Sequence, residues 1–323
     1  MVQAPGVQVT LQEAEVTRRR LAAAGVLRTD LEVRKDEATI VFPVTQGNDI
    51  FNFQPRQRRA RSYADLLPAD LRAAAPRAFD TLGDIVVVKV PQELWPRRAE
   101  IGQALLEFAA SRAVFHDAGV EGTFRTRRLE RIAGRGGSET VVQENGVTLH
   151  VDPAVAYFSP RLAAERARIA AMVEPGEVAI DLFGGVAPQG VQLAKAGADV
   201  SSVDLNPDAV RLARRNAAAN GVRLQCIEGD ARAVSLRLPL AHRVIMNLPH
   251  GAREFLDVGA RLTQPGGMLH HHEILADADV AARPAQLVAA LAVVGRGAVV
   301  ETVRHVRAYS AREGHYVFDM RLA

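Results

Sequence analysis

One cysteine, Cys226, is all that the 323 residues contain, which excludes a disulfide framework and a cysteine-built zinc site. Lysine is nearly missing as well. Lys35, Lys89 and Lys195 are three of 40 basic side chains, and the rest are arginine. Arginine grips phosphate with paired N–H donors and stacks on bases, where lysine offers a point charge. A GC-rich genome produces the same bias, so clustering says more than composition. Arg56, Arg58, Arg59 and Arg61 form one cluster, and Arg125, Arg127, Arg128 and Arg131 another. Both fit a surface that meets nucleic acid, and both fit a solvated face. Long apolar runs are also lacking: Ile85–Val88 and residues 244–246 are far too short to span a bilayer. The N-terminus has no apolar signal-peptide core. A cytoplasmic protein away from membranes is expected. With 48% hydrophobic residues and a net charge of only +3, the chain is globular rather than disordered.

Three blocks emerge along the chain. Residues 1–55 read as a small α+β domain, with a helix over 11–24, a stop at Gly25 and short strands ending in Ile40-Val41-Phe42-Pro43. Residues 45–62 read as a polar, basic linker. Residues 63–150 read as a second α+β domain for RNA binding, with a buried strand Ile85-Val86-Val87-Val88 and helical periodicity over 100–114. Further strands are expected at 140–142 and 147–151. From 151 to 323, strands and helices alternate. Strands are expected at 178–181, 200–204, 224–228, 243–247 and 268–273, with helices at 189–196 and 207–220. That alternation predicts a parallel, doubly wound sheet. Segments 299–304 and 315–321 are expected as antiparallel edge strands.

Ligands of such sheets sit at the carboxyl ends of the strands, near the switch in strand order. Asp181 ends the first strand, and Gly184-Gly185 allows close backbone approach to a ligand. Asp204 ends the second strand, where an acid can accept both ribose hydroxyl protons. Asp230, after the third strand, is placed to meet an adenine amino group. Asn247-Leu248-Pro249 ends the fourth strand, where a carboxamide and adjacent carbonyls can orient a planar nitrogen. Together these features read as a class I methyltransferase that uses S-adenosylmethionine and acts on a ring nitrogen. Methyl transfer needs in-line geometry, and a base if the nitrogen carries a proton. Glu165 is the candidate base. It lies four residues after Arg161 on an expected helix, and a surface Arg–Glu pair is the other reading of that spacing. In His270-His271-His272 at most His270 and His272 share a face of a strand, and no acid has a matching place, so no metal is expected. Cys226 is expected to be a buried core thiol, which argues against cysteine-dependent cytosine-C5 methylation.

These residues resemble the archaeal and eukaryotic tRNA (guanine-37-N1)-methyltransferase family. The similar segments are Gly122-Thr123-Phe124-Arg125-Thr126-Arg127, Tyr157-Phe158-Ser159-Pro160-Arg161-Leu162-Ala163-Ala164-Glu165-Arg166, Asp181 through Pro188, Asp204-Leu205-Asn206-Pro207, Gly229-Asp230-Ala231-Arg232, and Val244-Ile245-Met246-Asn247-Leu248-Pro249. Tyr309-Ser310-Ala311-Arg312-Glu313 is similar to the family's C-terminal segment, and the likeness covers most of 80–323. More loosely, the first block is similar to the small domain that in archaeal members helps recognise the tRNA elbow. The resemblance implies a Rossmann-like class I methyltransferase domain preceded by two small α+β domains, acting on tRNA. A monomer is expected. It implies Glu165 as base, Arg125 supporting the guanine O6 and Asn247 orienting the guanine. The implied cofactor pocket comprises Tyr157, Phe158, Arg161, Asp181, Gly185, Asp204, Leu205, Asp230, Ala231, Asn247 and Pro249. The chain departs from the family at Gly185-Val186-Ala187-Pro188-Gln189, where Gly-Val-Gly-Pro-Phe is usual, and at Ala163-Ala164. A wyosine-pathway relative acting on the same nucleotide is the alternative. A non-catalytic RNA-binding relative is a third reading.

Overall fold

The computed structural model describes residues 1–55, 60–122, 124 and 126–323. They divide into two compact units, Met1–Asp65 and Leu66–Ala323. Among the described residues no helix is long and apolar enough to cross a membrane.

In the first unit, β1 (Val2–Thr10), α1 (Ala14–Ala23), β2 (Arg34–Lys35), β3 (Thr39–Pro43) and β4 (Ile50–Phe53) make a sheet in the order β2-β3-β1-β4. All of its pairings are antiparallel. Ala4, Leu31, Val41 and Phe53 close one side, and Leu21 of α1 packs on Phe42 and Val44 at another. The segment expected as a linker is therefore structured in part. Its Gly47-Asn48-Asp49 run leads into β4, which pairs with β1 from Val2↔Phe53 to Pro5↔Ile50. Phe53, almost fully buried, holds that strand in place. Arg56, Arg58 and Arg59 lie outside the described residues.

The second unit opens with β5 (Phe79–Leu82), β6 (Ile85–Val88), α2 (Arg98–Phe108), β7 (Ala113–Glu121) and β8 (Thr126–Gly134). The sheet order is β5-β6-β7-β8, and β6 with β7 is its parallel pair, bridged by α2. The helix expected over 100–114 ends early, at Phe108. Ala110 turns into the left-handed region (φ 48°), and Ala113 begins β7 by pairing with Ile85. Ala113 and Val114 are wholly buried, so sheet pairing outweighed the helical spacing. The hairpin of β9 (Thr140–Glu144) and β10 (Val147–Val151) follows.

Then come α3 (Ala163–Ala170), β11 (Val178–Asp181), α4 (Pro188–Lys195), β12 (Asp199–Asp204), α5 (Pro207–Ala219), β13 (Gln225–Glu228) and α6 (Ala231–Ser235). The chain closes with β14 (Ala241–Met246), α7 (Leu256–Leu262), β15 (Thr263–Ala276), α8 (Arg283–Val293), β16 (Ala298–Ala308) and β17 (Glu313–Leu322). The seven strands order as β13-β12-β11-β14-β15-β17-β16. The first five are mutually parallel, and β17 runs antiparallel to both of its neighbours. One expectation changes here. β17 is not an edge strand: it inserts between β15 and β16, and Val317, Phe318, Met320 and Leu322 are completely buried. The edge is β16, whose residues are mostly exposed.

Helix α5 is fastened to the hairpin by two asparagines. Asn216 Oδ1 accepts from His150 N–H at 2.7 Å, and Asn220 Oδ1 accepts from Thr148 N–H at 2.8 Å. Each amide also donates back to the carbonyl of the same strand residue. Four residues along a helix span about 6 Å, close to the roughly 6.7 Å between alternate residues of a strand. The two side chains thus imitate a neighbouring strand along β10.

Candidate active site

The switch in strand order falls between β11 and β14, and their carboxyl ends lie side by side. Leu182 N–H donates to Ile245 O at 3.0 Å, which brings Asp181 beside the Asn247-Leu248-Pro249 loop. Asp204 ends the strand on the other side of β11.

The loop between β11 and α4 is built by close contacts. A Cβ on Gly184 would stand 2.0 Å from Ser202 Oγ, so any side chain there would have to displace the Ser202 hydroxyl. Gly185 has φ 56°, and its N–H donates to Asp204 Oδ2 at 2.7 Å. Asp204 Oδ1 accepts from Asn206 N–H at 2.9 Å. Burial raises the pKa of Asp204, and these backbone donors oppose the rise. Asn206 donates to Val155 O at 2.7 Å and draws the 152–158 segment over the loop. The Tyr157 carbonyl consequently faces Gly185. Ala187, where the resemblance expects glycine, holds the left-handed conformation at φ 58°, ψ 41°. That conformation costs an alanine about 1–2 kcal/mol. The carbonyl of Val186 accepts from Asn216 Nδ2 at 2.9 Å, and Gln189 donates to Arg166 O at 3.2 Å. Strain at Ala187 is thereby held by fully buried neighbours.

Other expected residues take distinct places. Asp230 caps α6, its Oδ1 accepting from Arg232 N–H and Ala233 N–H at 2.9 and 3.3 Å. Ala231 is buried behind it, while Leu205 and Tyr157 are each 48% exposed at the mouth. Phe158 is a core residue with the Arg166 guanidinium over its ring at 5.3 Å. Asn247 and Pro249 are half-buried, and Pro249 O accepts from Ile274 N–H at 3.0 Å. Beyond them the rings of His250 and Tyr309 meet edge to face at 5.3 Å.

Glu165 is 6% exposed in the first turn of α3. Arg161 is not its partner. It lies in a 3-10 turn before the helix, and its guanidinium binds Asp80 of β5 at 2.7 and 2.8 Å. Glu165 instead receives Arg168 at 2.6 Å, with Arg304 of β16 at 3.8 Å. The surface-pair reading of Arg161 with Glu165 is therefore replaced by two separate ion pairs. Arg125 lies outside the described residues.

The carboxyl of Asp181 is fully buried, and its Oδ1 has no hydrogen-bond partner among the described residues. Burial and the nearby Asp204 push its pKa up to about 7. An orphaned buried acid, a glycine-built concavity and a pre-oriented second acid fit a ligand that carries hydroxyls and positive charge. Among the described residues no group of three or more His, Cys, Asp or Glu is placed to hold a metal ion. His270 binds Asp319, His272 meets His315, and His271 lies against Phe318. Cys226 is only half-buried, more accessible than a core thiol. Sequence reasoning missed Asp80, Asn216 and Arg168, and quoted Asn206 without its contact to Val155. Asp80 and Asn216 are ordinary polar residues whose partners lie far along the chain, and Arg168 reaches both Glu165 beside it and the distant Asp319.

Comparison with known proteins gives three family matches. Residues 140–299 match the TRM5/TYW2 methyltransferase domain, 61–137 the TYW2 N-terminal domain, and 6–52 the tRNA methyltransferase 5 N-terminal domain. A tRNA (guanine(37)-N(1))-methyltransferase Trm5b of Pyrococcus abyssi is 35% identical over 98% of both chains. A solved complex of aTrm5 with tRNALeu superimposes with a TM-score of 0.82 at 27% identity, covering 97% of this chain and 98% of the other. The Methanocaldococcus jannaschii Trm5 structure with adenosine gives a TM-score of 0.68 at 26% identity, covering 98% of each.

Proposed function

The chain belongs to the tRNA (guanine-37-N1)-methyltransferase family, and from that premise we propose how its residues carry out the reaction. The substrate is tRNA, and the acceptor is N1 of the guanine 3′ to the anticodon. S-adenosylmethionine, when bound, supplies an electrophilic methyl group on a sulfonium. Asp204 would hold the ribose hydroxyls, Asp230 would meet the adenine, and the Gly184-Gly185 turn and Tyr157 would frame the cofactor. Asn247 orients the guanine edge so that N1 faces the methyl donor. Glu165 accepts the N1 proton, and Arg125 supports O6 as negative charge develops. The target base is flipped out of its stack to reach the site. Residues 1–55 are assigned to tRNA elbow recognition, 63–150 to RNA binding and 151–323 to catalysis.

The observation that carries this reading is the meeting of Asp181, Asp204 and the Asn247-Leu248-Pro249 loop at adjacent strand ends. Incubation of unmodified tRNA transcripts with the protein and S-adenosylmethionine should yield N1-methylguanine at position 37, read by mass spectrometry of nuclease fragments. Chelator should leave the yield unchanged. Methylation confined to another nucleotide, or none at all, refutes the proposal.

A further inference from the structure

Glu165 is one end of a buried polar chain that crosses four elements. Arg168 Nη2 donates to Glu165 Oε1 at 2.6 Å, and its Nε lies 3.0 and 3.1 Å from the two carboxylate oxygens. The opposite side of the same guanidinium grips Asp319 of β17, at 2.7 Å through Nη1 and 3.2 Å through Nη2. Asp319 Oδ1 accepts from His270 Nδ1 at 2.5 Å, and His270 Nε2 accepts from Arg243 Nη1 at 2.8 Å. Arg243 ends on Glu177, at 3.0 and 3.2 Å, and on Met172 O at 2.8 Å. The side chains of Glu165, Asp319 and His270 are at most 5% exposed.

We propose that Arg168, clamped from behind by Asp319, is a positioning residue that holds the Glu165 carboxylate aimed at the proton it removes. The inference rests on the reading of Glu165 as the base. An i,i+3 pair on an exposed helix is worth only a few tenths of a kcal/mol. Here the pair is largely buried, with side chains 18% and 5% exposed, and Asp319 fixes the guanidinium from its other side, so the carboxylate is held in one orientation. Facing Glu165 are Arg168 from its own helix and Arg304 from β16; behind Arg168 stand Asp319 from β17 and His270 from β15. Burial drives the pKa of His270 down and so keeps it neutral. Its tautomer is fixed by its partners: Arg243 occupies Nε2, so the proton sits on Nδ1 and is given to Asp319. Arginine does not release its proton in the working range. The chain therefore holds charge and geometry and is not a proton relay. The carboxylates of Glu165, Asp319 and Glu177 outnumber the guanidiniums of Arg168 and Arg243 by one. Arg304, half exposed, balances that surplus from the solvent side.

The test is the single-turnover methylation rate of the parent, R168Q, R168K and D319N, with E165Q as control. R168Q should lower the rate about tenfold or more, because the carboxylate is no longer held in one orientation. Cofactor and tRNA affinities should stay within a few-fold. R168K should restore most of the rate. D319N, which frees the guanidinium from behind, should lower the rate in the same direction by a smaller factor. Should R168Q fail to fold with Asp319 left unpaired, R168Q/D319N removes both members of the pair and should show the same loss of rate. R168Q turning over within a few-fold of the parent, or a loss that R168K does not restore, overturns the proposal. E165Q turning over within a few-fold of the parent means that the base reading itself has failed.

Discussion

Asp181 ends β11 with a carboxyl fully withdrawn from water and an oxygen, Oδ1, that meets no donor among the described residues. Burial first, and the charge of Asp204 second, lift its pKa from 3.8 to about 7. The folded state therefore keeps a proton that the unfolded chain has released between about pH 4 and 7. Stability attributable to this group is full below that window, falls as pH rises through it, and levels off above. Asp181→Asn keeps an acceptor for the Phe183 N–H and removes the titration. Denaturant unfolding at a series of pH values should show the variant gaining on the parent from pH 4 to 7, with a constant gap beyond. A gap that does not vary with pH would place the ionised carboxylate in a well-solvated setting. Glu165 teaches a related point. The sequence singled out Glu165 but paired it with Arg161; its partner in the structure is Arg168, at i,i+3 on the same helix and held from its other side by Asp319.

At the scale of elements, the α5–β10 contact is unusual in pairing a helix with a strand edge through side-chain amides. Asn216 is completely buried and satisfies three backbone groups, His150 N–H, His150 O and Val186 O. Each such group left unpaired costs about 1–3 kcal/mol. Asn220 is partly exposed, and water can replace its contacts with Thr148. Asn216→Ala should lower the unfolding free energy by about 3 kcal/mol or more, and Asn220→Ala by about 1 kcal/mol. Since Val186 belongs to the loop above Asp204, Asn216→Ala should also weaken binding of S-adenosylmethionine, measured by calorimetry. Equal losses from the two variants would show that the ladder is not the fastening it resembles. The β8 strand gives a second lesson. Its arginines alternate between faces, and Arg127 turns inward to Asp80 and Asp117 at 3.6 and 3.5 Å, while Arg128 stays exposed beside Glu121. A run that reads as one basic patch is divided by the pleat.

For the whole molecule, the two arginine clusters are expected to respond differently to salt. Arg61 follows the first unit's sheet, and its neighbours Arg56, Arg58 and Arg59 lie outside the described residues. Replacing these four together should weaken tRNA binding and flatten the slope of log affinity against log salt, by about 0.7–0.9 for each lost phosphate contact. Cofactor affinity should not change. Arg127→Gln should instead lower stability and leave the slope unaltered, because its charge is spent on Asp80 and Asp117. Filter-binding titrations over a range of salt distinguish the two. An unchanged slope in the fourfold variant reduces that cluster to a solvated run.

The sequence by itself determined the parallel strands of the catalytic sheet and the acids at their ends, because both depend on local order: apolar runs of strand length, glycine turns, and an acid or asparagine one step beyond. It also carried the family resemblance, which the relatives at 27–35% identity share over nearly the whole chain. Where segments pair with distant ones, only the tertiary structure decided. Ile50–Phe53 became a strand because Val2 and its neighbours offered an open edge. The helix before β7 stopped at Phe108 because Ile85 claimed Ala113. Arg161 went to Asp80, and Arg168 to an aspartate more than 150 residues away. Local propensity and spacing carry no information on such contacts, since their energy comes from burial that exists only once the sheets have closed.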